Sequence, residues 1–565
     1  MKQRIVVVGG VAGGASAAAK ARRMNDTVEI VMFEKGPYVS YGNCGIPYYI
    51  GGDIAERDDL FLVTPETFWD RFRIDVRVNH EVLRIDRTKQ LVVVQGPDGE
   101  FTMNYDRLIL ATGGVPLRPP IPGIELAGVH SLWTIPDGDA IMQFVQSLSA
   151  NAPVAVIGGG FIGLEMAEGL HQRGFDVTVV EKMEQLMPPL DAEIAAYAVK
   201  ELQDKGIRVI LGDGVSAFEA AAGQLDHICL ESGEQLPASL AIVSIGVRPE
   251  TSLAVDAGLE LGGTGALKVD EHMSTSDPRI FAAGDMVESR HRCSDTYMRI
   301  PLAGPANRQG RVAGHNAAVD LLASPQERLA FQGVLGTSIV RVFELALGQT
   351  GLSQKVAEHL GLDIQVSHTF SADHAGYYPG SRSILVKLIV ERPSGRILGA
   401  QTVGAQGADK RIDVLATAIL AGLTVFDLEQ LDLAYAPPFS SAKDPVNVAG
   451  MVAGNVLRQQ YRLLSKEQLQ AHPDRYCILD VRSQAEWDAG HIPQAVHIPV
   501  DELRNRLQDV PTGKPIVVYC AVGQRAYTAY RMLGHNGFSD LYSLSGGWQL
   551  WDCILDDPNQ EPTTH

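Results

Sequence analysis

A glycine-rich turn between a strand and a helix occurs twice in this chain, and this duplication limits the possible folds more than any other feature. In the first copy, a β-branched strand at residues 5–8 leads through glycines into an alanine-rich helix at 15–24 and then a strand at 28–33. The same order repeats between residues 154 and 180. Strand–helix–strand units of this kind build parallel sheets that are covered by helices. We therefore expect two doubly wound α/β units.

The second glycine turn is a complete GxGxxG motif. It consists of Gly158, Gly160 and Gly163, with Phe161 and Ile162 before the last glycine. Glycine is required because the turn is tight, the backbone approaches a pyrophosphate and the helix packs closely on the strand. Glu181 ends the next strand, where its carboxylate can accept hydrogen bonds from a ribose 2′-hydroxyl and would repel a 2′-phosphate. We expect NADH here, with NADPH left open because Lys182 follows directly.

The first glycine turn departs from that motif. It consists of Gly9, Gly10, Ala12, Gly13 and Gly14, with Val11 where a glycine usually stands. Glu34 ends the following strand and Lys35 comes next. An ordinary strand-to-helix connection is the alternative interpretation, but the strand context, the terminal acid and the duplication favour a second dinucleotide site.

Two further segments narrow the interpretation to a family. Residues 111–114 read Ala-Thr-Gly-Gly after an apolar strand, and residues 280–285 end in Asp285. Together with the glycine turns they resemble the two-dinucleotide-domain flavoproteins from residue 1 to about 450. The resemblance implies that Glu34 holds the adenosine ribose of FAD and that Asp285 binds its ribityl or pyrophosphate region. The implied FAD contacts are Gly9, Ala12, Gly13, Gly14, Glu34, Lys35, Ala111, Thr112, Gly113, Asp285 and Ala303.

Cys44 is the lone cysteine of the segment Ser-Tyr-Gly-Asn-Cys-Gly-Ile-Pro-Tyr-Tyr at residues 40–49. Glutathione-reductase-like enzymes carry a CxxxxC pair, whereas this segment resembles the SxxxCGxPY pattern of the single-cysteine branch, notably the coenzyme A-disulfide reductases. The resemblance implies that Cys44 cycles through a mixed disulfide, with a thiolate stabilised beside oxidised flavin. NADH oxidases and peroxidases of this branch typically carry a histidine where this chain has Ala12, so oxygen and peroxide chemistry ranks lower. A buried structural thiol is the remaining alternative.

The same resemblance implies residues that contact coenzyme A. Those lining the path to Cys44 are Ser16, Lys20, Arg23, Ser40 and Asn43. Residues 435–445 resemble the loop of a dimerisation domain that reaches the partner subunit's flavin, which implies a homodimer. Tyr435 would donate a hydrogen bond to the reacting sulfur, Lys443 would meet coenzyme A, and Tyr377 or Tyr378 would supply a second hydroxyl. Each tyrosine has interface packing as its alternative.

From about residue 462 the chain resembles a single rhodanese domain. The resemblance rests on Leu-Asp-Val-Arg at 479–482, Gly-His-Ile-Pro at 490–493 and Ser-Gly-Gly-Trp at 545–548. Between them lies a CxxGxR loop from Cys520 to Arg525, which follows a strand and enters a helix, so its backbone N–H groups can surround an anionic sulfur. Related phosphatases use one residue more. The loop therefore predicts a Cys520 persulfide and sulfur transfer, with an inactive domain as the alternative.

Composition and patterning disfavour several other classes of protein. The formal charge of −19, without a long Lys/Arg run, disfavours nucleic acid as a partner. The longest apolar run, at about 414–426, is shorter than the roughly 20 residues that cross a bilayer. Six scattered cysteines without zinc-type spacing indicate a reducing, cytoplasmic compartment and no metal site. The cysteines expected to be structural are Cys229, Cys293, Cys477 and Cys553.

The sequence thus predicts an α/β chain with two Rossmann-like FAD/NAD(P)-binding domains, an α+β dimerisation domain and an α/β rhodanese domain. The expected limits are 1–120 and 245–325 for FAD, 121–244 for NAD(P)H, 326–450 for dimerisation, 451–464 for a linker and 465–565 for rhodanese. The implied activity is NADH-dependent reduction of sulfane sulfur in coenzyme A persulfide or polysulfide, with Cys520 delivering sulfur. The alternatives are a coenzyme A-disulfide reductase, an NADH oxidase or peroxidase, and a sulfur carrier or redox sensor without turnover.

Overall fold

The computed structural model describes residues 3–322 and 327–553, which form two compact units. The first unit holds the described residues up to Glu184 together with those from Ile207 to Val334. The second holds Gln185–Gly206 and the described residues from Leu335 onward. The expected boundary at 325/326 and the expected domain end at 565 lie outside the described residues. Within the described ranges, no helix combines the length and apolar character needed to cross a membrane.

The first glycine turn belongs to a five-stranded parallel sheet of the first unit. Its strand order is Ile280–Ala282, Arg107–Leu110, Arg4–Val8, Glu29–Phe33 and Ile74–Arg77. The helices Ala12–Met24 and Ala303–Val319 pack against each other at close range, since a Cβ on Gly314 would lie 2.0 Å from the carbonyl oxygen of Ala17. The first helix begins three residues earlier than expected because Ala12, Gly13 and Gly14 are already helical.

The second glycine turn belongs to another five-stranded parallel sheet. Its strand order is Arg208–Leu211, Asp176–Glu181, Pro153–Ile157, Leu240–Val243 and Val129–Ser131. The helices Phe161–Gln172 and Ile135–Ser147 belong to the same unit, as do two three-stranded antiparallel sheets. One sheet consists of Glu81–Asp86, Leu91–Gly96 and Gly99–Asn104. The other consists of Val215–Ala221, Gln224–Leu230 and Gln235–Pro237. Both predicted strand–helix–strand repeats are therefore present.

An antiparallel sheet and a parallel sheet dominate the second unit. The antiparallel strand order is Ser338–Val342, Leu345–Gly351, Ile397–Gly404, Ser383–Glu391 and Ile364–Ala372. The helices of this region are Ala192–Asp204, Gln354–His359, Ala408–Ala421, Val425–Leu428 and Pro445–Leu457. The parallel strand order is Leu463–Leu464, Leu541–Leu544, Ile516–Tyr519, Cys477–Asp480 and Val496–His497, and the helix Gln524–His535 follows the central strand.

The predicted linker at 451–464 is not an irregular segment. The helix Pro445–Leu457 includes the first half of this segment. At the end of the segment, the strand Leu463–Leu464 pairs in parallel with Ser543 and Leu544. The helix is strongly anchored at its start, because Asp444 caps it and accepts hydrogen bonds from Arg411. Just before this segment the helix packs closely on its neighbour, since a Cβ on Gly450 would lie 2.7 Å from the Leu428 side chain.

Lys387 is the centre of a buried polar cluster in the second unit. Its side chain is 0% exposed, and its ammonium lies 2.8 Å from Asp191 and forms a short ion pair with Glu193. It also donates a 3.0 Å hydrogen bond to Gln354. His368 contacts Glu193 through Nε2 at 3.1 Å. Burial alone would raise the pKa of Glu193, but His368 and Lys387 hold that pKa well below its usual range.

Replacing Lys387 by methionine is expected to destabilise the second unit by about 3–5 kcal/mol, because it leaves two buried carboxylates without their cation. The unfolding temperature of that unit should fall by on the order of 10 °C in differential scanning calorimetry. Lys205→Met is the matched control, since Lys205 is partly exposed, pairs with Glu201 and Glu344 and lies 5.7 Å from the Phe343 ring, and its replacement should cost less than about 1 kcal/mol. Equal melting temperatures for the two variants would contradict the expected role of the cluster.

Candidate functional site

Two different reasons explain the glycines of the GxGxxG turn. Gly158 has φ of +107°, and a Cβ there would lie 2.5 Å from the carbonyl oxygen of Ser244. A Cβ on Gly163 would lie 2.0 Å from the carbonyl oxygen of Gly158. Gly160, in contrast, has open space around the position of its Cβ and caps the helix Phe161–Gln172. The outer glycines are therefore fixed by the fold, while the middle glycine leaves a cradle that fits a pyrophosphate.

The first glycine turn has the same close approaches. A Cβ on Gly9 would lie 2.2 Å from the carbonyl oxygen of Ala111, and one on Gly14 would lie 1.8 Å from that of Gly9. Gly113 has φ of +71° with open space at its Cβ position, and the Thr112 hydroxyl donates to the carbonyl oxygen of Glu250 at 2.6 Å. The turn thus presents backbone groups at the carboxyl end of the sheet, where a second dinucleotide fits.

Glu34 and Glu181 occupy equivalent positions in the two sheets. Glu34 accepts hydrogen bonds from the backbone N–H groups of Gly10 and Gly36, both at 2.8 Å. Glu181 accepts from Gly159 at 2.7 Å and from Met183 at 2.8 Å. Burial raises the pKa of Glu34, although these backbone donors oppose the rise. Each carboxylate is fixed beside its glycine turn and keeps further lone pairs for ribose hydroxyls.

Asp285 lies just beyond the strand Ile280–Ala282, at the same edge as the first glycine turn. Burial raises its pKa to about 6. A carboxyl in such surroundings is best satisfied by a hydroxyl donor, which a ribityl chain provides. Ala303 opens the helix Ala303–Val319, and Lys35 is an exposed neighbour of Glu34. The chemistry of these residues fits FAD at the first sheet.

Cys44 lies in a short 3₁₀ turn, Asn43–Gly45, that leads directly into the helix Ile46–Gly51. Its thiol is open to solvent and lies 3.7 Å from the side-chain oxygen of Asn43. Desolvation by surrounding protein atoms raises the pKa of Cys44, and the nearby carboxylates of Glu165 and Asp285 raise it further. The predicted stabilisation of the thiolate therefore depends on oxidised flavin, because the two side-chain charges that shift the pKa of Cys44 are both negative.

Ser40 and the basic residues of the first helix, which the sequence predicts to contact coenzyme A, all lie in the first unit. Ser40 has φ of +49° and is held by hydrogen bonds between its backbone and that of Gly10 and Leu62. The Ser16 hydroxyl donates to Asn307 at 2.5 Å. Burial and the positive charges of Arg311 and Arg23 lower the pKa of Lys20. Lys20, Arg23 and Arg311 thus form a basic cluster.

Arg311 was not found from the sequence. It lies on the helix Ala303–Val319, almost three hundred residues from Lys20 along the chain. The pairing of that helix with Ala12–Met24 brings the two residues together, as the close approach of Gly310 to Gly13 shows. A glycine every four residues at 310 and 314 was the available signal for such close helix packing.

The tyrosines predicted in the dimerisation domain lie in the second unit. The hydroxyls of Tyr377 and Tyr435 are 3.0 Å apart, and this hydrogen bond raises the pKa of Tyr377. Tyr378 instead packs edge-on against His374. Lys443 is exposed, and Phe439 is 72% exposed. The exposed aromatic side chains of Tyr377, Tyr378, Tyr435 and Phe439 together form a patch of the kind that marks an interaction surface.

Cys520 lies at the end of the buried strand Ile516–Tyr519, and its side chain is fully buried. The backbone N–H of Gly523 donates to its sulfur at 3.1 Å. Gly523 has φ of +109° and caps the helix Gln524–His535, so the loop directs its N–H groups inward. This arrangement stabilises a negatively charged sulfur.

Arg525 is held beside this loop by Glu486, a residue whose role the sequence did not predict. Two parallel hydrogen bonds, at 2.7 and 2.6 Å, join the guanidinium to the carboxylate. Burial would raise the pKa of Glu486, but the hydrogen bonds from Arg525 and Ser483 lower it to about 2. The pair remains charged at neutral pH, and a bidentate pair fixes the plane of the guanidinium.

The Ser-Gly-Gly-Trp segment at residues 545–548 packs against the backbone of the Cys520 loop. The backbone N–H of Trp548 donates to the carbonyl oxygen of Cys520 at 2.9 Å. A Cβ on Gly547 would lie 2.4 Å from that same oxygen, so only glycine fits. Ser545 accepts a 3.1 Å hydrogen bond from the backbone N–H of His368. The loop is therefore connected to the antiparallel sheet of the second unit.

Comparison with known proteins assigns the regions of the chain. The pyridine nucleotide-disulphide oxidoreductase model matches residues 3–310, its dimerisation-domain model matches 337–445, and a rhodanese-like domain model matches 464–552. A crystal structure of reduced CoADR-RHD from Bacillus anthracis has a TM-score of 0.93 and 42% identity, covering 98% of each chain.

Two further proteins show the same relationship. A NAD-dependent persulfide reductase from A. fulgidus has a TM-score of 0.91 and 38% identity, covering 97% of this chain and all of the other. The coenzyme A disulfide reductase of Staphylococcus haemolyticus is 34% identical over 80% of this chain and 99% of its own length. These matches agree with the predicted fold class, and the chain belongs to the pyridine nucleotide-disulphide oxidoreductase family, with a rhodanese-like domain following its dimerisation domain.

Proposed function

We propose that this protein is an FAD-dependent NADH reductase of sulfane sulfur, with coenzyme A persulfide or polysulfide as its substrate. One observation carries the proposal: a unit that presents the solvent-open Cys44, the single cysteine of segment 40–49, shares its chain with a loop that directs a backbone N–H at the sulfur of Cys520. A disulfide reductase alone has no need of a persulfide cradle. The similarity to the persulfide reductase of A. fulgidus supports the same assignment.

The two glycine turns hold the two nucleotides. The first turn, Glu34 and Asp285 hold FAD, and the second turn with Glu181 holds NADH. The same site accepts NADPH as a second nucleotide, because Lys182 follows Glu181 and its exposed ammonium can meet a 2′-phosphate. In the free protein that ammonium pairs with Glu231 on the surface. When bound, FAD takes a hydride from the nicotinamide and passes two electrons to sulfur. The chain's own part is to orient both nucleotides and to present Cys44.

Cys44 is the nucleophile. Its thiolate attacks the coenzyme A-side sulfur of the persulfide, which forms a mixed disulfide and expels hydrosulfide. Two electrons and one proton then return Cys44 to its thiolate and release coenzyme A as the thiol. The net reaction converts NADH, a proton and coenzyme A persulfide into NAD⁺, coenzyme A and hydrogen sulfide. Tyr435 donates a hydrogen bond to the reacting sulfur, and Tyr377 orients that hydroxyl.

Coenzyme A is recognised mainly by its phosphates. Lys20, Arg23 and Arg311 supply the positive charge that attracts these phosphates. In the free protein the charges of Arg311 and Arg23 lower the pKa of Lys20. Ser16, Ser40 and Asn43 line the path to Cys44, and Lys443 meets the nucleotide end. Cys520 carries a persulfide from bulky sulfur donors, with Arg525 and the Gly523 N–H stabilising its charge.

The protein acts as a homodimer in the cytoplasm. The exposed aromatic patch of the dimerisation domain supports a second copy as its partner, and six free cysteines are stable in a reducing compartment. The domain limits given from the sequence remain predictions.

The second candidate is a coenzyme A-disulfide reductase that maintains a thiol pool, which the similarity to the S. haemolyticus enzyme favours.

Anaerobic stopped-flow absorbance of the flavin distinguishes these functions. The holoenzyme is reduced with NADH and then mixed separately with coenzyme A persulfide, coenzyme A disulfide or oxygen. We expect reoxidation by the persulfide to be at least about tenfold faster than by the disulfide, because its leaving group, hydrosulfide, is the weaker base. Faster reoxidation by the disulfide supports the second candidate. Faster reoxidation by oxygen supports an NADH oxidase, and slow reoxidation by all three indicates a carrier or sensor.

A further inference from the structure

Three potential metal ligands converge on one face of a surface hairpin in the first unit. His227 and Cys229 are two residues apart in the strand Gln224–Leu230, so their side chains project from the same face. Glu219 lies directly opposite His227 in the neighbouring strand Val215–Ala221. One ligand atom from each of the three residues lies within 4.8 Å of the other two.

The distances within this cluster are close to those of a tetrahedral zinc site. The His227 Nε2 atom lies 3.1 Å from Oε2 of Glu219, and the Cys229 sulfur lies 3.4 Å from Oε1. Tetrahedral coordination at ordinary zinc bond lengths requires nitrogen–oxygen and sulfur–oxygen separations of about 3.4 and 3.6 Å. The two distances run to different oxygens of Glu219, and the three ligand atoms lie within 4.8 Å of one another, so rotation of these side chains brings them to the required separations.

Asp226 provides the second feature expected of a metal-binding histidine. Its Oδ2 lies 3.0 Å from Nδ1 of His227, the ring nitrogen that faces away from Glu219. A carboxylate in this position accepts a hydrogen bond from Nδ1–H, so that Nε2 is the ring nitrogen that faces Glu219 and can bind a metal ion. The ring is thus oriented as a metal-binding histidine requires.

We propose that Glu219, His227 and Cys229 form a binding site for a thiophilic divalent cation of the zinc type. A thiolate, an imidazole and a carboxylate are the ligand set that zinc accepts. The Glu219 side chain is 52% exposed, so the fourth coordination position is open to water. The ion joins two strands of the hairpin, and its binding stabilises the antiparallel sheet to which they belong.

This proposal differs from the sequence expectation, which gave Cys229 a structural role and found no zinc-type spacing. The spacing of His227 and Cys229 is uninformative by itself because the third ligand comes from the neighbouring strand. Only the strand register places Glu219 opposite His227. The site is separate in sequence from Cys44 and Cys520, and it rests on none of the residues in the proposed reaction.

Zinc protection of Cys229 from alkylation tests the proposal in the full-length holoenzyme. The protein is first stripped with a chelator and then treated with N-ethylmaleimide in the presence or absence of one equivalent of zinc, and each cysteine peptide is quantified by mass spectrometry. We expect zinc to slow alkylation of Cys229 by about tenfold or more, since a metal-bound thiolate is a poor nucleophile. Alkylation of Cys477, a half-buried thiol outside the cluster, serves as the internal control.

The variants His227→Gln and Glu219→Gln identify the ligands. Protection of Cys229 should be lost in His227→Gln and reduced at least threefold in Glu219→Gln, while circular dichroism remains unchanged because both residues are on the surface. Equal alkylation of Cys229 with and without zinc overturns the proposal. Protection that persists in both variants also overturns it, because the thiol would then bind zinc without the proposed partners.

Discussion

Replacing Cys44 by serine is expected to lower the rate of NADH-dependent coenzyme A persulfide reduction by about 10³-fold or more. A serine hydroxyl neither attacks an S–S bond nor forms a mixed disulfide, so the residue is not replaceable by its isostere. Reduction of the flavin by NADH should remain within about threefold of the wild-type rate, because Cys44 takes no part in nicotinamide binding. The measurement is hydrogen sulfide release under anaerobic turnover, combined with flavin bleaching in the stopped-flow instrument.

Cys293→Ser is the matched control for this prediction. Cys293 is a partly buried cysteine of the same unit that lies outside the segment around Cys44. The control should keep both half-reactions, and NADH-dependent reduction of ferricyanide should survive in both variants. Full persulfide turnover by Cys44→Ser would show that reduced flavin reaches the substrate without a protein thiol, and the proposed mechanism would then be wrong.

The chemistry of Cys44 depends on a charge that the protein chain does not supply. Glu165 and Asp285 oppose the thiolate and raise the pKa of Cys44, as partial desolvation does. An electron-poor or cationic group beside the sulfur would act in the opposite direction and lower that pKa.

The fold was largely predictable because its signals are local. Gly163 is fixed by the carbonyl oxygen of Gly158, five residues away, and strand, turn and helix follow one another directly. The same is true of the loop from Cys520 to Gly523, whose sulfur and N–H donor are three residues apart. Patterns of this kind are contained in a short window, which sequence analysis reads well.

The features that sequence analysis missed depend on contacts between distant residues. Glu486 is almost forty positions from Arg525, and Arg311 is far from Lys20, so neither partner follows from spacing. The helix that continues into the predicted linker 451–464 was likewise not foreseen, because the close packing of Gly450 on Leu428 joins residues more than twenty positions apart. Glycine is ambiguous in a single sequence, since it serves both tight packing and free rotation.

The Cys520 loop is joined to the antiparallel sheet of the second unit by hydrogen bonds. Trp548 bonds to the carbonyl oxygen of Cys520, and Ser545, three residues before it, bonds to His368 of the antiparallel sheet. His368 in turn contacts Glu193, which is paired with Lys387. The second unit therefore holds the Cys520 loop by a continuous set of polar contacts that reaches the buried Lys387.

Replacing Cys520 by serine is expected to abolish sulfur transfer from thiosulfate or polysulfide to an acceptor thiol, with a loss of about 10³-fold or more. A hydroxyl cannot carry sulfane sulfur, although the Gly523 N–H and Arg525 remain in place. Reduction of soluble coenzyme A persulfide should stay within about twofold of wild type, because that substrate reaches Cys44 directly. Hydrogen sulfide release from each donor, measured side by side, separates the two activities.

Cys477→Ser is the matched control, since Cys477 begins the neighbouring strand Cys477–Asp480 of the same sheet and has no donor directed at its sulfur in the described structure. It should keep both activities. Cys520→Ser could lose reduction of soluble coenzyme A persulfide and use of thiosulfate or polysulfide to the same extent. Cys520 would then not deliver sulfur to a separate site. The loop would then belong to the reductive step itself, because only a shared step makes both substrates depend equally on one thiol.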